Sequence, residues 1–249
     1  MIFPKVIAHR GLPHAAPENT MASFKEALRL GVDGIETDVQ QTKDGQLVIC
    51  HDELINRTTN GTGLLKDYTL NELKKLSAGV WFDKKFISET IPTLREFFDL
   101  VHDKDILINL EIKSGVVLYP DIEKHIIDMI HEYNIGSKII ISSFNHYSLV
   151  TCKEIDNSIN TGILYECGLF EPWNYARSVG AEALHPSLYN IKPELMQGIK
   201  ENNLKVNPYT VDSLEQMKYM VAMQVDGIIT NYSDRLIALK KEWLEKNEA

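Results

Sequence analysis

The sequence predicts an α/β fold, a (β/α)₈ TIM barrel with a small insertion after the hairpin of the second barrel strand. Its 249 residues match the usual size of such a barrel. Short apolar runs with strand character alternate with helical patterns, which is typical of parallel βα units. The eight runs begin near residues 5, 34, 106, 138, 160, 183, 205 and 227. We therefore expect a single domain over residues 1–249, with the insertion at about residues 53–90.

Apolar periodicity and capping residues define the separate elements. Asn19 or Thr20 is expected to cap the first helix and Gly31 to end it, while Thr69 caps a short helix in the insertion. Outside the hairpin, the predicted strands are Lys5–His9, Ile106–Ile112, Lys138–Ser142, Asn160–Leu164, Ala183–His185, Lys205–Tyr209 and Gly227–Thr230. The later predicted helices are Thr93–Val101, Tyr119–Tyr133, His146–Ile155, Trp173–Val179, Lys192–Glu201, Leu214–Met223 and a closing helix through Trp243.

The stretch over residues 34–52 is predicted to form a β-hairpin. Asp44-Gly45 lies between two strand-like apolar runs, and Asp-Gly in that position is a strong hairpin signal. A turn centred on this pair would place Asp38 opposite His51. Side chains alternate along a strand, so Glu36 and Asp38 share one face. Taken alone, such a carboxylate pair on a strand is more often a solvated face than a metal site.

Composition and charge exclude several function classes. The net charge of −9 and the pI of about 5.4 argue against a nonspecific nucleic-acid or anionic-membrane surface. The cysteines Cys50, Cys152 and Cys167 are odd in number and widely spaced, which argues against a disulfide framework or a zinc site. Local cations must therefore bind any anionic substrate, because the overall charge of the protein repels it.

Segments that would direct the chain to a membrane are not visible in the sequence. No apolar run approaches the 18 or so residues of a membrane span. The first residues run directly into a strand, without the charged and apolar regions of a secretory signal. We expect a cytoplasmic protein without stable membrane insertion, whose partner is a small-molecule substrate and not a nucleic acid. The sequence leaves the oligomeric state open.

Polar and charged residues repeatedly follow the predicted barrel strands. In a TIM barrel the carboxyl ends of the strands form the face that carries the active site. Each of these residues alone is a weak signal, but together they predict one site at this rim. At the ends of the first three barrel strands they are His9, Arg10, Glu36, Asp38, Glu111 and Lys113, and His51 follows the return strand of the hairpin.

The residue types at this rim predict a reaction class. Glu36, Asp38 and Glu111 suit one hard divalent cation, Ca²⁺ or Mg²⁺. Arg10 and Lys113 are the cations that would hold a phosphate. His9 and His51 approach from opposite sides and can act as a general acid–base pair. This set predicts metal-dependent phosphodiester cleavage, in which one histidine deprotonates the nucleophile and the other protonates the leaving alkoxide.

The same residues carry a family resemblance over residues 5–235, almost the whole chain. The chain resembles the bacterial glycerophosphodiester phosphodiesterases. The matching stretches are His9-Arg10-Gly11, Pro17-Glu18-Asn19-Thr20, Glu36-Thr37-Asp38-Val39, His51-Asp52, Asn109-Leu110-Glu111-Ile112-Lys113, Ile141-Ser142-Ser143-Phe144 and Val225-Asp226-Gly227-Ile228-Ile229-Thr230-Asn231.

The resemblance implies both an activity and roles for residues. It implies hydrolysis of glycerophosphodiesters to glycerol 3-phosphate and an alcohol such as choline or ethanolamine. It also implies that the acidic residues already named hold the metal, that the two histidines are the catalytic pair, and that Arg10 and Lys113 bind the phosphate. One difference is visible, since Tyr209 stands where many relatives carry a tryptophan.

Alternatives remain open at this stage. The nucleophile is either water or the neighbouring glycerol hydroxyl, and the large effective concentration of a vicinal hydroxyl favours the second. The same residues could instead cleave lyso-lipids, as a lysophospholipase D does, if an apolar entrance lay beside the metal. Candidate residues for that entrance are Trp81, Phe82, Phe86, Leu169, Phe170 and Trp173. A catalytically silent barrel would lack a metal ligand or a histidine, and neither is missing here.

Overall fold

A parallel barrel surrounded by helices forms the protein, and it confirms the predicted fold class. The computed structural model describes residues 2–247. The strands are β1 (Lys5–His9), β2 (Gly34–Gln41), β3 (Leu47–Ile49), β4 (Leu107–Ile112), β5 (Ile139–Ser143), β6 (Asn160–Tyr165), β7 (Ala183–Pro186), β8 (Lys205–Val206) and β9 (Gly227–Thr230). The helices are α1 (Met21–Leu30), α2 (Leu70–Leu73), α3 (Leu94–Val101), α4 (Ile122–Tyr133), α5 (His146–Ile155), α6 (Pro172–Val179), α7 (Pro193–Glu201), α8 (Leu214–Met223) and α9 (Ser233–Asn247).

The barrel strands are arranged in the order β8-β7-β6-β5-β4-β2-β1-β9, and each neighbouring pair in this order is parallel. Between β8 and β9, single hydrogen bonds continue the ring. Val206 O accepts from Asp226 N at 3.0 Å, and Pro208 O accepts from Ile229 N at 3.1 Å. The strand predicted over Lys205–Tyr209 is thus shorter than expected, because Pro208 has no N–H to donate to a ladder.

Most predicted helix boundaries hold, but the closing helix α9 runs to Asn247 and not only to Trp243, and α4 begins late. Residues 119–133 were expected to be helical, but α4 begins at Ile122. Pro120 disfavours a helical conformation at the residue before it, and Asp121 takes a left-handed conformation with φ 55°. Tyr119 instead donates its hydroxyl hydrogen bond to Gln40 Oε1 at 2.7 Å. The tyrosine therefore fastens the loop after β4 to the second barrel strand.

The hairpin forms, but the predicted register is wrong by one residue. Gly45 N donates to Thr42 O at 3.0 Å, and Gly45 has φ 78°, so three residues and not two make the loop. Strand β3 consequently pairs Ile49 with Val39. Asp38 lies opposite Cys50, whose N donates to Asp38 O at 3.0 Å, and not opposite His51.

The insertion between β3 and α3 folds around an apolar cluster of its own. Thr69 caps α2 as predicted, with a capping box that Glu72 completes. The buried members of this cluster are Val48, Cys50, Ile55, Leu65, Leu73, Ala78 and Ile91. The insertion is thereby a compact lobe at the end of the hairpin, close to the carboxyl ends of β1 and β2.

The main core lies between the barrel and its helices. Along β2, Ile35 and Val39 face the helices and are fully buried. Phe24 of α1 packs on Phe97 of α3 with ring centroids 4.7 Å apart. The alternate positions of β2 therefore face the barrel interior, and this alternation presents Glu36 and Asp38 to the site. Within residues 2–247, no helix is both long and apolar enough to cross a membrane.

Gly162 on β6 should be essential for packing inside the barrel. A Cβ there would lie 2.7 Å from Nε2 of buried His185, whose ring Asn207 Nδ2 holds at 3.1 Å. We expect Gly162→Ala to lower the free energy of unfolding in urea by about 1–3 kcal/mol, as overpacking does. Gly115→Ala is the control, because a Cβ at Gly115 meets open space. Equal stability of the two variants would show that His185 moves aside without cost.

Candidate active site

Three acidic side chains meet inside the barrel mouth at the carboxyl ends of β2 and β4. Asp38 and Glu111 are direct register partners on these neighbouring strands, and Glu36 precedes Asp38 on the same face. One carboxylate oxygen from each residue lies within 4.8 Å of the others. All three residues have at most 9% of their surface exposed. The local alternation of two adjacent parallel strands is enough to build this cluster.

The cluster fits one hard divalent cation. Oxygen ligands on opposite sides of Ca²⁺ lie about 4.8 Å apart, because each Ca–O distance is about 2.4 Å. Asp38 Oδ1 is buried and has no hydrogen-bond partner among the residues that the structure describes. The donor set consists of carboxylate oxygens, which suits Ca²⁺ or Mg²⁺ and not a thiophilic metal. Glu36, Asp38 and Glu111 are therefore the residues that could hold such an ion.

Burial and mutual repulsion shift the pKa values of these carboxyls in different directions. Burial, followed by the charges of Asp38 and Glu111, raises the pKa of Glu36 well above its usual value. Burial and Asp38 raise the pKa of Glu111 as well. Burial also acts to raise the pKa of Asp38, but Arg10 and other nearby cations outweigh it and lower that pKa. A divalent cation would relieve the repulsion that the metal-free cluster contains.

The two predicted phosphate-binding cations lie beside this cluster. Lys113 Nζ is 2.8 Å from Glu111 Oε1 and 3.9 Å from Asp38 Oδ1. Arg10 Nε is 3.4 Å from Asp38 Oδ2, and Asn19 Nδ2 donates to the same oxygen at 2.8 Å. Both cations are mostly buried, with 13% and 16% of the lysine and arginine side chains exposed. They partly neutralise the cluster and remain close enough to contact an anion bound to it.

The backbone after β1 turns sharply to bring Arg10 into the site. Arg10 has φ 56° and Gly11 has φ 85°, two successive left-handed residues. A Cβ at Gly11 would lie 2.4 Å from Ser23 Oγ, so only glycine fits. Arg10 N also donates to Glu36 O at 2.9 Å. This geometry explains the sequence His9-Arg10-Gly11 at the end of the strand.

His9 is held by a neutral amide. Its Nδ1 donates to Asn231 Oδ1 at 2.7 Å. Asp212 fixes that amide by accepting from Asn231 Nδ2 at 2.8 Å and from Asn231 N at 2.9 Å. Burial, followed by the charge of Arg10, lowers the pKa of His9 to about 4. The imidazole is therefore neutral at pH 7, and its Nε2 lies 3.8 Å from Glu36 Oε2.

His51 is held by a carboxylate. Its Nδ1 donates to Asp52 Oδ1 at 2.6 Å, which leaves Nε2 directed away from this bond. Burial acts to raise the pKa of Asp52, but hydrogen bonds from Arg57 and His51 lower it to about 2. Arg57 Nε donates to Asp52 Oδ2 at 2.6 Å. A carboxylate that Arg57 also holds thus fixes the orientation of the His51 ring.

Five of the seven predicted site residues line one small cavity, whereas Asp38 and Lys113 are not part of its walls. Its volume is about 190 Å³, and His9, Arg10, Glu36, His51 and Glu111 are among its walls. Other residues complete the walls of the cavity, and Phe144 and Tyr209 among them already stood out in the sequence, in the family motifs or as a difference from them. These further lining residues are Asn109, Phe144, Leu164, Glu166, Tyr209, Thr210 and Ile229.

The apolar entrance expected for a lyso-lipid substrate does not form from the predicted aromatics. Trp81, Phe82 and Phe86 pack edge-to-face on one another in the insertion, with ring centroids 5.7 Å apart. The other three candidates line a separate cavity of about 430 Å³. They are Leu169, Phe170 and Trp173. The aromatic side chains beside the carboxylates are instead Phe144 and Tyr209, whose centroids lie 6.0 Å apart.

Known proteins match this chain along most of its length. The model of the glycerophosphoryl diester phosphodiesterase family matches residues 9–235. A glycerophosphodiester phosphodiesterase of Caldanaerobacter subterraneus subsp. tengcongensis is 55% identical over 237 residues, which cover 95% of this chain and 98% of the relative. One of Bacillus altitudinis is 38% identical, with 96% and 98% covered. The chain belongs to the glycerophosphoryl diester phosphodiesterase family.

A solved structure agrees with this assignment. A phosphodiesterase of Oleispira antarctica, in complex with the product sn-glycerol-3-phosphate, has a TM-score of 0.86 and 29% sequence identity to this chain. The match covers 96% of this chain and 97% of the other. The family resemblance that the motifs predicted is therefore confirmed.

Several site residues of this phosphodiesterase family member were not predicted. Asn231 and Asp212 orient His9, and Arg57 and Glu18 lie behind His51 and Arg10. Asn231 and Glu18 stand within motifs that carry the family resemblance, but nothing in the sequence indicated what they contact. Their partners lie up to 222 positions away along the chain, so no local periodicity could reveal them.

Replacing Glu36 should separate metal affinity from stability. We expect Glu36→Gln to raise the unfolding temperature of the metal-free protein at pH 7, because folding raises the pKa of this carboxyl and its ionisation then opposes folding. The gain should vanish as the pH falls towards 4, where the unfolded-state carboxyl is itself protonated. Added Ca²⁺ should raise the unfolding temperature of the wild type more than that of the variant.

The control for this prediction is Glu154→Gln, a change on the exposed side of α5. This variant should follow the wild type both with and without Ca²⁺. Equal Ca²⁺ stabilisation of Glu36→Gln and the wild type would remove Glu36 from the set of ligands.

Proposed function

We propose that the protein hydrolyses glycerophosphodiesters to glycerol 3-phosphate and an alcohol, using one divalent cation. The observation that carries the proposal is the convergence of a carboxylate cluster, two cations and two differently held histidines on one cavity. Family membership and the relatives named as glycerophosphodiester phosphodiesterases support it. Overall, the P–O bond to the alcohol breaks and the elements of water are added.

Glu36, Asp38 and Glu111 would hold the cation, which we propose to be Ca²⁺ or Mg²⁺. When bound, such an ion polarises the phosphoryl oxygens and neutralises the charge that develops in the transition state. Arg10 and Lys113 would bind the remaining phosphate oxygens. Their buried positions support this role, because a charge-assisted hydrogen bond is stronger where water is excluded.

His9 would act as the general base. At pH 7 its Nε2 carries a lone pair, since the Nδ1 proton is committed to Asn231. Its pKa of about 4 in the metal-free protein supports a neutral ring in the resting state. The amide of Asn231 holds the ring in this tautomer without adding a negative charge beside it. Nε2 is therefore available to accept the proton of the attacking hydroxyl.

His51 would act as the general acid. Asp52 accepts from its Nδ1 and stabilises the protonated imidazole. Nε2 of the protonated ring can then deliver its proton to the departing alkoxide. After each turnover the two histidines must exchange a proton with solvent, and the exposed 31% of the His51 side chain provides access to water.

The cavity supports small glycerophosphodiesters as substrates. A volume of about 190 Å³ accommodates a phosphate and short polar substituents, whereas an acyl chain would have to extend outside it. Phe144 and Tyr209 offer ring surface to one substituent. The cytoplasmic location stays a prediction from the sequence, which predicts either Ca²⁺ or Mg²⁺ without distinguishing the two ions.

The decisive assay is release of glycerol 3-phosphate from glycerophosphocholine. We expect release with Ca²⁺ or Mg²⁺ present, loss after EDTA treatment and recovery when the ion is restored, because the carboxylates alone repel the substrate phosphate. Long-chain lysophosphatidylcholine serves as the competing substrate. Faster turnover of the lyso-lipid would favour the lysophospholipase D alternative, and no turnover of either by folded protein would favour a silent barrel.

Removing the proposed acid should reduce turnover without unfolding the protein. We expect His51→Ala to lower kcat by at least about 100-fold, the usual contribution of a general acid. The matched control is His131→Ala, which removes a surface histidine that donates to Asp156 at 2.7 Å in a similar pair. Near-normal kcat in His51→Ala, measured on glycerophosphocholine, would refute the assignment.

A further inference from the structure

One guanidinium group, that of Arg57, contacts two carboxylates behind the site. Its Nε donates to Asp52 Oδ2 at 2.6 Å, and its Nη2 lies 3.0 Å from Asp52 Oδ1. Its Nη1 and Nη2 donate to Glu18 Oε2 and Oε1, each at 2.8 Å. Arg57 belongs to the insertion, whereas Glu18 belongs to the loop after β1. The planar fork of the guanidinium thus joins two segments that are 39 residues apart.

Each of these carboxylates in turn holds a residue that lines the cavity. Asp52 accepts from Nδ1 of His51 at 2.6 Å. Glu18 accepts from Nη1 of Arg10 at 2.8 Å. A single carboxylate therefore separates Arg57 from a proposed catalytic histidine on one side and from a proposed phosphate-binding arginine on the other. Among the residues that the structure describes, Glu18 is the only carboxylate that pairs with both arginines.

We propose that Arg57 is a positioning residue that aligns His51 and Arg10 with each other across the cavity. The proposal rests on the function proposed above. Arg57 does not contact the cavity itself, since its partners lie between it and the lining residues. It acts by fixing Asp52, so that Nε2 of His51 points into the site, and by keeping Glu18 in the place where Arg10 needs it.

The geometry explains why an arginine occupies this position. A lysine carries the same charge on a single nitrogen. It therefore cannot make the paired, coplanar hydrogen bonds that the guanidinium makes to each of the two carboxylates. Without the fork, Asp52 and Glu18 would repel each other, and both would be free to adopt other rotamers. A displacement of about 1 Å in a catalytic group can lower the rate by about 100-fold.

The alternative is that Arg57 only attaches the insertion to the barrel. Its side chain is 45% exposed, so its ion pairs contribute little to overall stability. A purely structural role would lower stability without a selective effect on catalysis. A positioning role changes the kinetic constants of the folded enzyme, and the two carboxylate partners should each account for a different part of that change.

The test compares Arg57→Ala and Arg57→Lys with the wild type on glycerophosphocholine. We expect Arg57→Ala to lower kcat/KM by about 100-fold and Arg57→Lys by about 10-fold, within the range for residues that support a site from behind. Asp52→Asn should lower mainly kcat, because it disturbs His51. Glu18→Gln should raise mainly KM, because it disturbs Arg10. Arg57→Ala should show both effects.

A matched control and a chemical rescue make the test specific. Arg95→Ala removes another guanidinium with two contacts, at 2.6 and 2.8 Å to Glu132, on the outer helices. It should leave kcat and KM unchanged. Guanidinium ion, added below its denaturing range, should restore about 10-fold of the activity of Arg57→Ala but none in His51→Ala. Unchanged kinetics in Arg57→Ala, or a loss that guanidinium fails to rescue and that parallels loss of fold, would overturn the proposal.

A readout without substrate separates this proposal from the proposed function. Nitrogen-15 NMR of the imidazoles reports whether Nδ1 of His51 is protonated and hydrogen-bonded. We expect the Nδ1–H signal of the wild type to be lost or shifted in Arg57→Ala and retained in Arg95→Ala. An inactive wild type with this pattern would refute the proposed function alone, whereas an active wild type with an unchanged His51 signal in Arg57→Ala would refute the positioning role.

Discussion

The repulsion among three buried carboxylates is the constraint on which this site depends. Glu36, Asp38 and Glu111 are held within 4.8 Å of one another by the strands that carry them. Burying such a group is expensive unless cations or hydrogen bonds compensate it. Arg10 and Lys113 compensate only part of this charge, because two cations face three carboxyl groups and Arg10 also pairs with Glu18. The remaining negative potential is the physical reason for proposing a cation site there, and the same repulsion, together with burial, raises the pKa of Glu36 and of Glu111.

The barrel makes this arrangement possible because β2 and β4 are neighbouring strands and because side chains alternate between the two faces of each strand. Strands β2 and β4 pair directly although the whole hairpin and insertion lie between them in sequence. The antiparallel strand β3 leaves the barrel ring, so the chain can return to it after α3 without disturbing the register of Asp38 with Glu111. The insertion then places its residues behind the site. The rigid strands therefore carry the proposed metal ligands, and the loops carry the groups that orient the histidines.

The sequence could predict those site residues that lie at the carboxyl ends of the barrel strands. Glu36, Asp38 and Glu111 could be predicted to converge, because parallel strands end at the same face of a barrel and alternation places every second side chain inside. The register of the hairpin could not be predicted, because an Asp-Gly turn fits both a two-residue loop and a three-residue loop. Asn231, Asp212, Glu18 and Arg57 were beyond prediction for a different reason. They lie in loops, where no periodicity indicates a contact, and only the folded structure brings Asn231 to His9 and Arg57 to Glu18.

The two histidines differ in what holds them, and this difference explains how identical side chains can have opposite roles. Asn231 offers His9 an amide oxygen, which fixes the tautomer and adds no charge, and burial then keeps the ring neutral with a pKa of about 4. Asp52 offers His51 a carboxylate at 2.6 Å, which places a negative charge beside the ring. Each partner is itself held by another side chain, Asp212 in one case and Arg57 in the other. The proposed division into base and acid thus depends on groups one step behind the imidazoles, an amide in one case and a carboxylate in the other.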